Sequence, residues 1–257
     1  MTEFYFKDVT LLITHYNRSK SLERLLRTFV ELNLSFEEII VSDDSSKQEH
    51  LVYIEELQKT LNFRLITGIK NMGLANNLNK GQDAVVTNYV LYVQEDFIPT
   101  ASFGFHFNNA YQLLKEFTDI DMIRFYAYFK YPKLKPFRDG YSEMIFKFWS
   151  PGYRKFYCYS DHPHLRRINF LEKFGRYKEF SNSDKTEYNM MFSFLQKKGK
   201  GLFFEEYRNL FVQNNSLSEP STVNRKKLRK SNDFLITLTR HLYRHIKFNF
   251  DYLFRKF

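Results

Sequence analysis

Short hydrophobic runs alternate with stretches of helical periodicity over the first hundred residues. A continuous apolar run is typical of a strand buried on both faces, and apolar residues spaced three or four apart indicate a helix. The runs are residues 9–14, 38–42, 63–67 and 89–93. The helical stretches are residues 22–30, 51–57 and 74–85, with Ser21 as the predicted N-cap of the first. This alternation predicts an α/β fold in which helices flank a mostly parallel sheet.

After residue 100 the pattern changes. We predict helices over 103–117, from about Asn169, and over 187–198, with strands over 121–125, 202–204 and 210–212. The segment 126–160 is crowded with Tyr, Phe, Lys and Pro and has no clear period. Its structure is not predictable from its pattern.

The last part of the chain has a second amphipathic pattern. Its apolar residues are spaced three or four apart and fall within an arc of about 120° on a helix. They are Leu235, Leu238, Leu242, Ile246, Phe250, Leu253 and Phe257. The residues on the opposite side are Arg240, Arg244, Lys247 and Arg255, and a basic cluster over 225–230 comes before the helix.

Polar residues follow all four strands of the first hundred residues. They are residues 14–18, 43–46, 71–74 and 94–96. One such group alone is typical of a loop or a helix cap, but ligands of parallel sheets bind beyond the carboxyl ends of the strands. Four groups at one edge therefore favour a binding site. The sequence contains neither a G-x-G-x-x-G loop nor a Walker loop, which argues against dinucleotide dehydrogenases and P-loop enzymes.

Charge separates the tail from the rest of the chain. Of the net charge of +10, residues 225–257 carry +8 and the other 224 residues carry +2. A nearly neutral body argues against a uniformly basic nucleic-acid binder. The single cysteine, Cys158, excludes an intrachain disulfide framework. With no leader pattern and no run of 18 apolar residues, we expect a cytoplasmic protein.

The motifs at the strand ends resemble those of the GT-A fold family 2 glycosyltransferases. The resemblance rests on residues 12–18, 40–46, 71–81 and 94–96, and on 162–167 and the loop that ends at Glu187, which resemble the branch with a Glu-Asp metal motif. It implies a GT-A domain with a nucleotide-sugar-binding half (1–100), an acceptor-binding half (101–215) and a basic helical tail (216–257). It also implies an inverting glycosyltransferase that moves a sugar, from a UDP-sugar rather than another donor, to a growing bacterial surface polysaccharide or lipid-linked glycan.

The resemblance places the donor at the strand ends. The implied donor-binding residues are Thr14, Tyr16, Asn17, Asp43, Asp44, Asn71, Gly73 and Glu95. A carboxylate such as Asp43 can accept a hydrogen bond from a uracil N–H, and Asp44 can accept from ribose hydroxyls. The alternative for the two adjacent acids is a helix cap at Asp44-Ser45.

A divalent cation, Mn²⁺ or Mg²⁺, is implied at Asp96, because a diphosphate leaving group needs a cation and hard ions prefer oxygen ligands. The family pattern here is Asp-x-Asp, and this chain has Gln94-Glu95-Asp96. Where the family often supplies a late histidine, this chain has Gln213. His162 or His164 is a substitute ligand, and a structural role is the alternative for each.

Inversion needs a base that takes the proton of the acceptor hydroxyl. Glu187 matches the family's position for this carboxylate, and Asp184 is the alternative base. The other interpretation of Glu187 is a first-turn acid that the helix dipole favours.

The tail predicts attachment to an anionic membrane surface, on the inner face of the cytoplasmic membrane, through residues 225–257. The alternative is a C-terminal helix packed on the domain. Two further functional classes stay open: a non-catalytic GT-A scaffold, and a nucleic-acid-binding module that uses the tail, although no nucleic-acid partner is expected.

Overall fold

A computed structural model of the chain describes residues 3–180, 182–215, 219 and 234–257. The strands are β1 (Phe4–His15), β2 (Leu34–Asp43), β3 (Arg64–Thr67), β4 (Tyr89–Gln94), β5 (Phe97–Pro99), β6 (Met122–Arg124), β7 (Leu134–Arg138), β8 (Tyr141–Met144), β9 (His164–Arg167), β10 (Gly201–Phe204) and β11 (Phe211–Gln213). The helices are α1 (Ser19–Glu31), α2 (Gln48–Gln58), α3 (Leu74–Asp83), α4 (Phe103–Glu116), α5 (Phe170–Phe174), α6 (Ser183–Gln196) and α7 (Phe234–Phe254).

A nine-stranded mixed sheet runs through the domain in the order β3-β2-β1-β4-β9-β6-β10-β8-β7. The strands β3, β2, β1 and β4 are parallel, as predicted, and β9 pairs antiparallel with both β4 and β6. A separate two-stranded sheet joins β5 and β11. The predicted α/β architecture is therefore confirmed.

The central strand β1 is covered on both faces. Leu11 and Ile13 lie in one hydrophobic cluster and Leu12 lies in the other, and all three are fully buried. This double burial explains the continuous apolar run in the sequence. On one face α3 packs very closely, because a Cβ on Gly81 would lie 2.6 Å from Leu12 Cδ1 and 3.0 Å from the Cβ of Ser42.

Two predicted helix caps are wrong. α1 begins at Ser19, so Ser21 lies inside the helix, where its backbone N–H and its hydroxyl donate to the Glu219 carboxylate. α2 begins at Gln48, and no cap forms at Asp44-Ser45. In both places the capping residue types serve tertiary contacts instead.

The segment between residues 126 and 170 contains three strands that the hydrophobic pattern did not predict. β7 and β8 form a hairpin inside the aperiodic segment. β9 carries the sequence His-Leu-Arg-Arg, in which Arg166 is fully buried. Its charges are satisfied by tertiary contacts that local hydrophobicity does not reveal. The helix predicted from residue 187 begins four residues earlier, at Ser183.

The helix α7 packs on the domain through one face and exposes the other. Phe248 and Asp251 are buried, whereas the predicted apolar arc points to solvent. Its members Leu238, Leu242, Ile246, Phe250 and Leu253 are each 54–60% exposed. The basic cluster 225–230 and the side chain of Leu235 lie outside the described residues. Within the described ranges, every helix is too short or too polar to cross a bilayer.

Candidate functional site

The carboxyl ends of β1, β2 and β4 lie level with one another. His15 pairs in register with Asp43, and Thr14 pairs with Gln94. The polar groups that follow these strands therefore meet at one edge of the sheet, as the sequence predicts. We call residues 14–18, 43–46, 71–74 and 94–96 the polar edge.

Asp43 holds the loop after β2. Its Oδ1 accepts from His15 Nδ1 at 2.7 Å and from Ser46 Oγ at 2.5 Å, and its Oδ2 accepts from the Ser46 backbone N–H at 2.8 Å. Burial favours the neutral acid, but the hydrogen bonds from His15 and Ser46 outweigh burial and lower the pKa of Asp43. Both oxygens are engaged with the protein, and the implied contact with a nucleotide base stays a prediction.

Asp44 joins the end of β2 to the start of α3. Its two carboxylate oxygens accept from the backbone N–H groups of Met72 and Gly73, each at 2.8 Å. Burial raises the pKa of Asp44 in spite of these two hydrogen bonds. Gly73 adopts φ +86°, a conformation that favours glycine, and the neighbouring Asn71 is exposed.

The first loop of the polar edge presents Thr14, Tyr16 and Asn17. Thr14 Oγ1 lies 2.9 Å from the Tyr92 hydroxyl inside the domain. Asn17 has φ +54°, and its Oδ1 accepts from the backbone N–H of Lys47 at 2.8 Å. Tyr16 is half-buried beside them. The loop is thus shaped by its own polar contacts.

Two adjacent carboxylates and one arginine follow β4. Arg18 Nη1 lies 3.3 Å from Glu95 Oε1 and 3.5 Å from Asp96 Oδ2. Burial and the neighbouring charge of Asp96 raise the pKa of Glu95 to about 7, against the opposing effect of Arg18. One guanidinium thus serves two carboxylates, and the pair retains excess negative character.

Asp96 has one carboxylate oxygen that fits a hard cation. Its Oδ2 accepts from Gln213 Nε2 at 2.9 Å, and its Oδ1 is buried without a hydrogen-bond partner in the described part of the chain. Over residues 3–180, 182–215, 219 and 234–257, however, three His, Cys, Asp or Glu side chains never converge as a metal cluster. Asp96, His162 and His164 therefore do not form a common three-ligand set.

The two candidate histidines lie in different surroundings. His164 is fully buried on β9; its Nδ1 donates to the His162 carbonyl at 2.7 Å, and burial holds its pKa well below the usual range. The ring of His162 packs against Tyr128 and Phe97, with centroids 4.5 and 5.8 Å away. For His164 this geometry favours the structural alternative.

A cleft of about 790 Å³ lies beside α6. Glu187, Asp184, Arg124 and His162 line it together with aromatic residues. Its remaining lining residues are Ala127, Tyr128, Phe129, Tyr157, Ser160, Phe180, Asn182, Lys185, Tyr188, Asn189, Met191, Tyr243, Arg244, Lys247, Phe248, Arg255 and Phe257. The structure thus places both candidate bases in a space large enough for a sugar.

A hydrogen-bonded bridge joins this cleft to the polar edge. The hydroxyl of Tyr128 donates to Gln213 Oε1 at 2.9 Å, and Gln213 Nε2 donates to Asp96. Gln213 therefore reaches Asp96 at the place where the family often has a histidine. Two hydrogen bonds connect the cleft wall with the candidate cation ligand.

Glu187 sits in a strongly electrostatic environment. Its Oε1 accepts from the backbone N–H of Asp161 at 3.3 Å, and burial raises its pKa although Arg124 opposes the shift. Burial, together with the charge of Glu187, also raises the pKa of Asp161 to about 8. The interpretation of Glu187 as a first-turn acid is wrong, because α6 begins at Ser183 and the first-turn acid is Asp184.

A buried chain of polar side chains leads to this region. Arg166 Nη2 donates to Gln82 Oε1 at 2.8 Å, and Arg166 Nη1 donates to the Tyr177 hydroxyl at 2.5 Å. The Tyr177 and Tyr159 hydroxyls lie 2.7 Å apart, and Tyr159 donates to Asp161 Oδ1 at 2.6 Å. The chain connects α3 with the loop that contacts Glu187.

Four residues of the site were not identified from the sequence. Arg18 and His15 stand inside the first motif, where their position at a strand end was the available signal. Arg124 ends β6, and Asp161 lies in the loop before β9, a strand that was not predicted. For these two the sequence offers no local signal, because their roles depend on tertiary contacts.

Curated relatives match part of the chain. A cholesterol galactosyltransferase of Borreliella burgdorferi is 26% identical over 160 residues, which are 57% of this chain and 44% of that protein. A poly-β-1,6-N-acetyl-D-glucosamine synthase of Staphylococcus aureus is 29% identical over 92 residues, 36% of this chain and 22% of that protein. This chain thus spans less than half the length of either relative.

Solved structures share the fold at low identity. Residues 1–349 of TarS from S. aureus, in complex with UDP-GlcNAc, superpose with a TM-score of 0.62 at 15% identity, covering 96% of this chain and 76% of that one. The mannosyltransferase PcManGT of Pyrobaculum calidifontis, in complex with GDP-Man and Mn²⁺, gives 0.56 at 16% identity, covering 95% and 64%. Both comparisons concern the fold alone.

The sequence model of glycosyl transferase family 2 matches residues 10–175. That range contains β1 to β4, the polar edge and the loop with Asp161 and His162. With the GT-A-like sheet, this match to well over half of the chain establishes that the protein belongs to glycosyl transferase family 2.

Proposed function

We propose that the protein is an inverting glycosyltransferase of the Glu-Asp motif branch, with a UDP-sugar donor and a bacterial surface polysaccharide or lipid-linked glycan as acceptor. The observation that carries the proposal is the bridge Asp96–Gln213–Tyr128, which joins the candidate phosphate and cation site to the cleft with Glu187. Donor and acceptor would then meet between Asp96 and Glu187.

The polar edge suits the donor's nucleotide and diphosphate. Tyr16, Asn17 and Asn71 are accessible enough to contact a base or ribose, while Asp43 and Asp44 keep the loops in shape. Asp96 would hold a divalent cation, Mn²⁺ or Mg²⁺, through its unpartnered Oδ1, and the ion would neutralise charge on the leaving diphosphate. Arg18, already beside both carboxylates, adds positive charge at the same place.

The acceptor chemistry is assigned to Glu187, with Asp184 as the alternative base. In a single displacement the acceptor oxygen bonds to the anomeric carbon while the bond to the leaving phosphate oxygen breaks on the opposite face. The proton of the acceptor hydroxyl goes to the carboxylate. Burial raises the pKa of Glu187, which makes its carboxylate a stronger base than an exposed one.

A ligand screen tests the donor. UDP-, GDP- and dTDP-hexoses are added to the protein with and without Mn²⁺, and the melting temperature is measured. We expect UDP-sugars to give the largest increase and Mn²⁺ to enlarge it. A GDP-sugar that stabilises more than any UDP-sugar would overturn the nucleotide assignment, and donor turnover absent under every condition would favour a non-catalytic scaffold.

We also propose that α7 attaches the enzyme to the inner face of the cytoplasmic membrane without spanning it. The support is its exposed apolar stripe, from Ile236 to Phe254 and about 27 Å long. A monomeric soluble protein rarely exposes so large a contiguous apolar patch without an interaction partner. The basic side chains Arg244 and Lys247 pack towards the domain, so the apolar stripe supplies most of the attachment by the described residues.

Vesicle co-sedimentation tests this attachment. The pair Leu242→Ser with Ile246→Ser should release the protein from vesicles of anionic phospholipid without changing its melting temperature, because both side chains are about 60% exposed. The matched control is Val86→Ser, which changes an 85% exposed apolar residue elsewhere. Unchanged vesicle binding by the double variant would remove the stripe from the proposal.

A further inference from the structure

The inner face of α7 forms one wall of the cleft. Arg244, Lys247 and Arg255 reach the cleft from α7, and Lys185 reaches it from α6. The exposed stripe of α7 faces the other way. The tail therefore contributes directly to the space beside Glu187, and its role is not restricted to a surface.

Positive charge predominates in this cleft. Five lining residues are cationic: Arg124, Lys185, Arg244, Lys247 and Arg255. Two are acidic, Asp184 and Glu187, and the buried Asp251 behind the wall shares its single charge between Lys247 and Arg255. The excess of cations remains after each acid has been counted once.

The contacts of individual cations leave this excess uncompensated. Arg244 donates to the Tyr153 hydroxyl at 3.2 Å and lies 5.2 Å from the centre of that ring, so both contacts are with a neutral group. Arg124 donates to the Tyr157 carbonyl at 2.6 Å, and burial lowers its pKa to about 10, so it remains charged at neutral pH. A neutral sugar acceptor does not require cations from two helices at this position.

We propose that the cleft recognises a phosphate group carried by the acceptor, with Arg244 and Lys185 as its main contacts. This rests on the proposed function, since it names the acceptor class of the same site. A guanidinium fork and an ammonium group are the side chains that bind phosphate oxygens best, and desolvation at the edge of a cleft strengthens such bonds. The aromatic lining, including Tyr128 and Tyr157, suits the sugar that carries the accepting hydroxyl.

Two kinds of acceptor carry such a group: a lipid-linked sugar phosphate and a polyol phosphate polymer. The experiment measures the affinity of the full chain for dodecyl phosphate below its micelle concentration, for a glycerol phosphate oligomer, and for neutral dodecyl glucoside. We expect dodecyl phosphate or the oligomer to bind at least about tenfold more tightly than the neutral glycoside. The phosphate compound that binds more tightly identifies the source.

Matched variants locate the binding. Arg244→Gln and Lys185→Gln should each weaken phosphate binding about tenfold. Lys185 is exposed, so its replacement tests the contact without disturbing the packing of α7. The control Lys256→Gln removes the same charge from an exposed residue outside the cleft and should change nothing.

The result that overturns the proposal is equal affinity for phosphate and neutral probes, or an equal loss in Lys256→Gln and the two cleft variants. Binding of a UDP-hexose, measured in the same preparations, separates this outcome from failure of the proposed function. Phosphate recognition without UDP-hexose binding contradicts the transferase, whereas UDP-hexose binding without phosphate recognition contradicts only the acceptor class.

Discussion

The polar edge and the cleft differ in how their charges are satisfied. At the polar edge, Asp43 and Asp44 bond to groups that follow β2 or precede α3, and their oxygens are saturated by backbone and short side chains. In the cleft, Glu187, Arg124 and Arg244 come from three distant segments and keep only partial compensation. The edge is built as a rigid frame, whereas the cleft keeps reactive charge.

This difference teaches that similar acids have different purposes in the two regions. A carboxylate whose two oxygens are both bonded within the protein stabilises a loop, and its removal leaves buried donors unsatisfied. A carboxylate with an open oxygen or a raised pKa retains the capacity for chemistry. Asp96 belongs to the second kind although it lies at the polar edge.

The largest effect is expected for Asp96→Ala. Transfer should fall by about 10⁴-fold or more, because the residue that anchors a charge-neutralising cation supplies several kcal/mol to the reaction. The melting temperature should stay close to that of the parent protein, since Oδ1 makes no hydrogen bond within the described residues. Single-turnover transfer measures the effect, and Asp139→Asn, an exposed acid far from the edge, is the control. Near-normal turnover at saturating Mn²⁺ would contradict the assignment.

Glu187→Gln should lower the chemical step by about 10²–10⁴-fold with unchanged donor affinity. In the parent protein the rate should rise with pH through the raised pKa of Glu187, since the base acts in its deprotonated form. Asp184→Asn should move this rise to lower pH, because the charge of Asp184 contributes to the raised pKa. If Asp184→Asn instead loses the chemical step while Glu187→Gln is nearly normal, Asp184 is the base.

Asp43→Ala separates frame from chemistry. It should cost about 3 kcal/mol of unfolding free energy, since it leaves His15 and Ser46 without their buried partner. Urea denaturation measures the loss, and calorimetry measures the weaker nucleotide binding that the sequence predicts. Weaker binding without any loss of stability would make Asp43 a ligand contact rather than a part of the frame.

The smallest effect concerns Glu95. Its folded pKa of about 7 lies above the ordinary value for an unfolded chain, so the folded state binds the extra proton. That contribution to stability is complete below the unfolded pKa and is lost as the pH rises through about 7. The melting temperature should therefore decline between pH 5 and pH 8, and Glu95→Gln should reduce the slope. Asp161, with a pKa of about 8, leaves part of the slope in place. A parent protein with a flat profile would contradict the shift.

The polar edge could be predicted from the sequence because it depends on short-range order. Strand ends in a parallel sheet meet wherever the apolar runs end, so residues such as Thr14, Asp43 and Asp96 were located without coordinates. Even so, the saturation of Asp43 was not predictable, because His15 was not assigned as its partner.

The cleft could be predicted only in part. Glu187 was located by its place in a motif, but the start of α6 was misplaced by four residues. β9 escaped prediction because Arg166 occupies a buried position that hydrophobicity assigns to apolar side chains. For α7 the periodicity predicted a helix correctly, but a helix with apolar residues on one side and Phe248 and Tyr252 on another does not reveal which side packs. Tertiary contacts decide that choice.

The buried chain from Gln82 to Asp161 has a consequence for building hybrid enzymes. An exchange of the first hundred residues for those of a relative would separate Gln82 from Arg166, which donates to it across the two halves. The guanidinium would stay fully buried with one acceptor fewer, and the tyrosine pair that reaches Asp161 would lose its fixed end. A working hybrid must therefore inherit Gln82 together with Arg166, so donor preference cannot be transplanted by the first half alone.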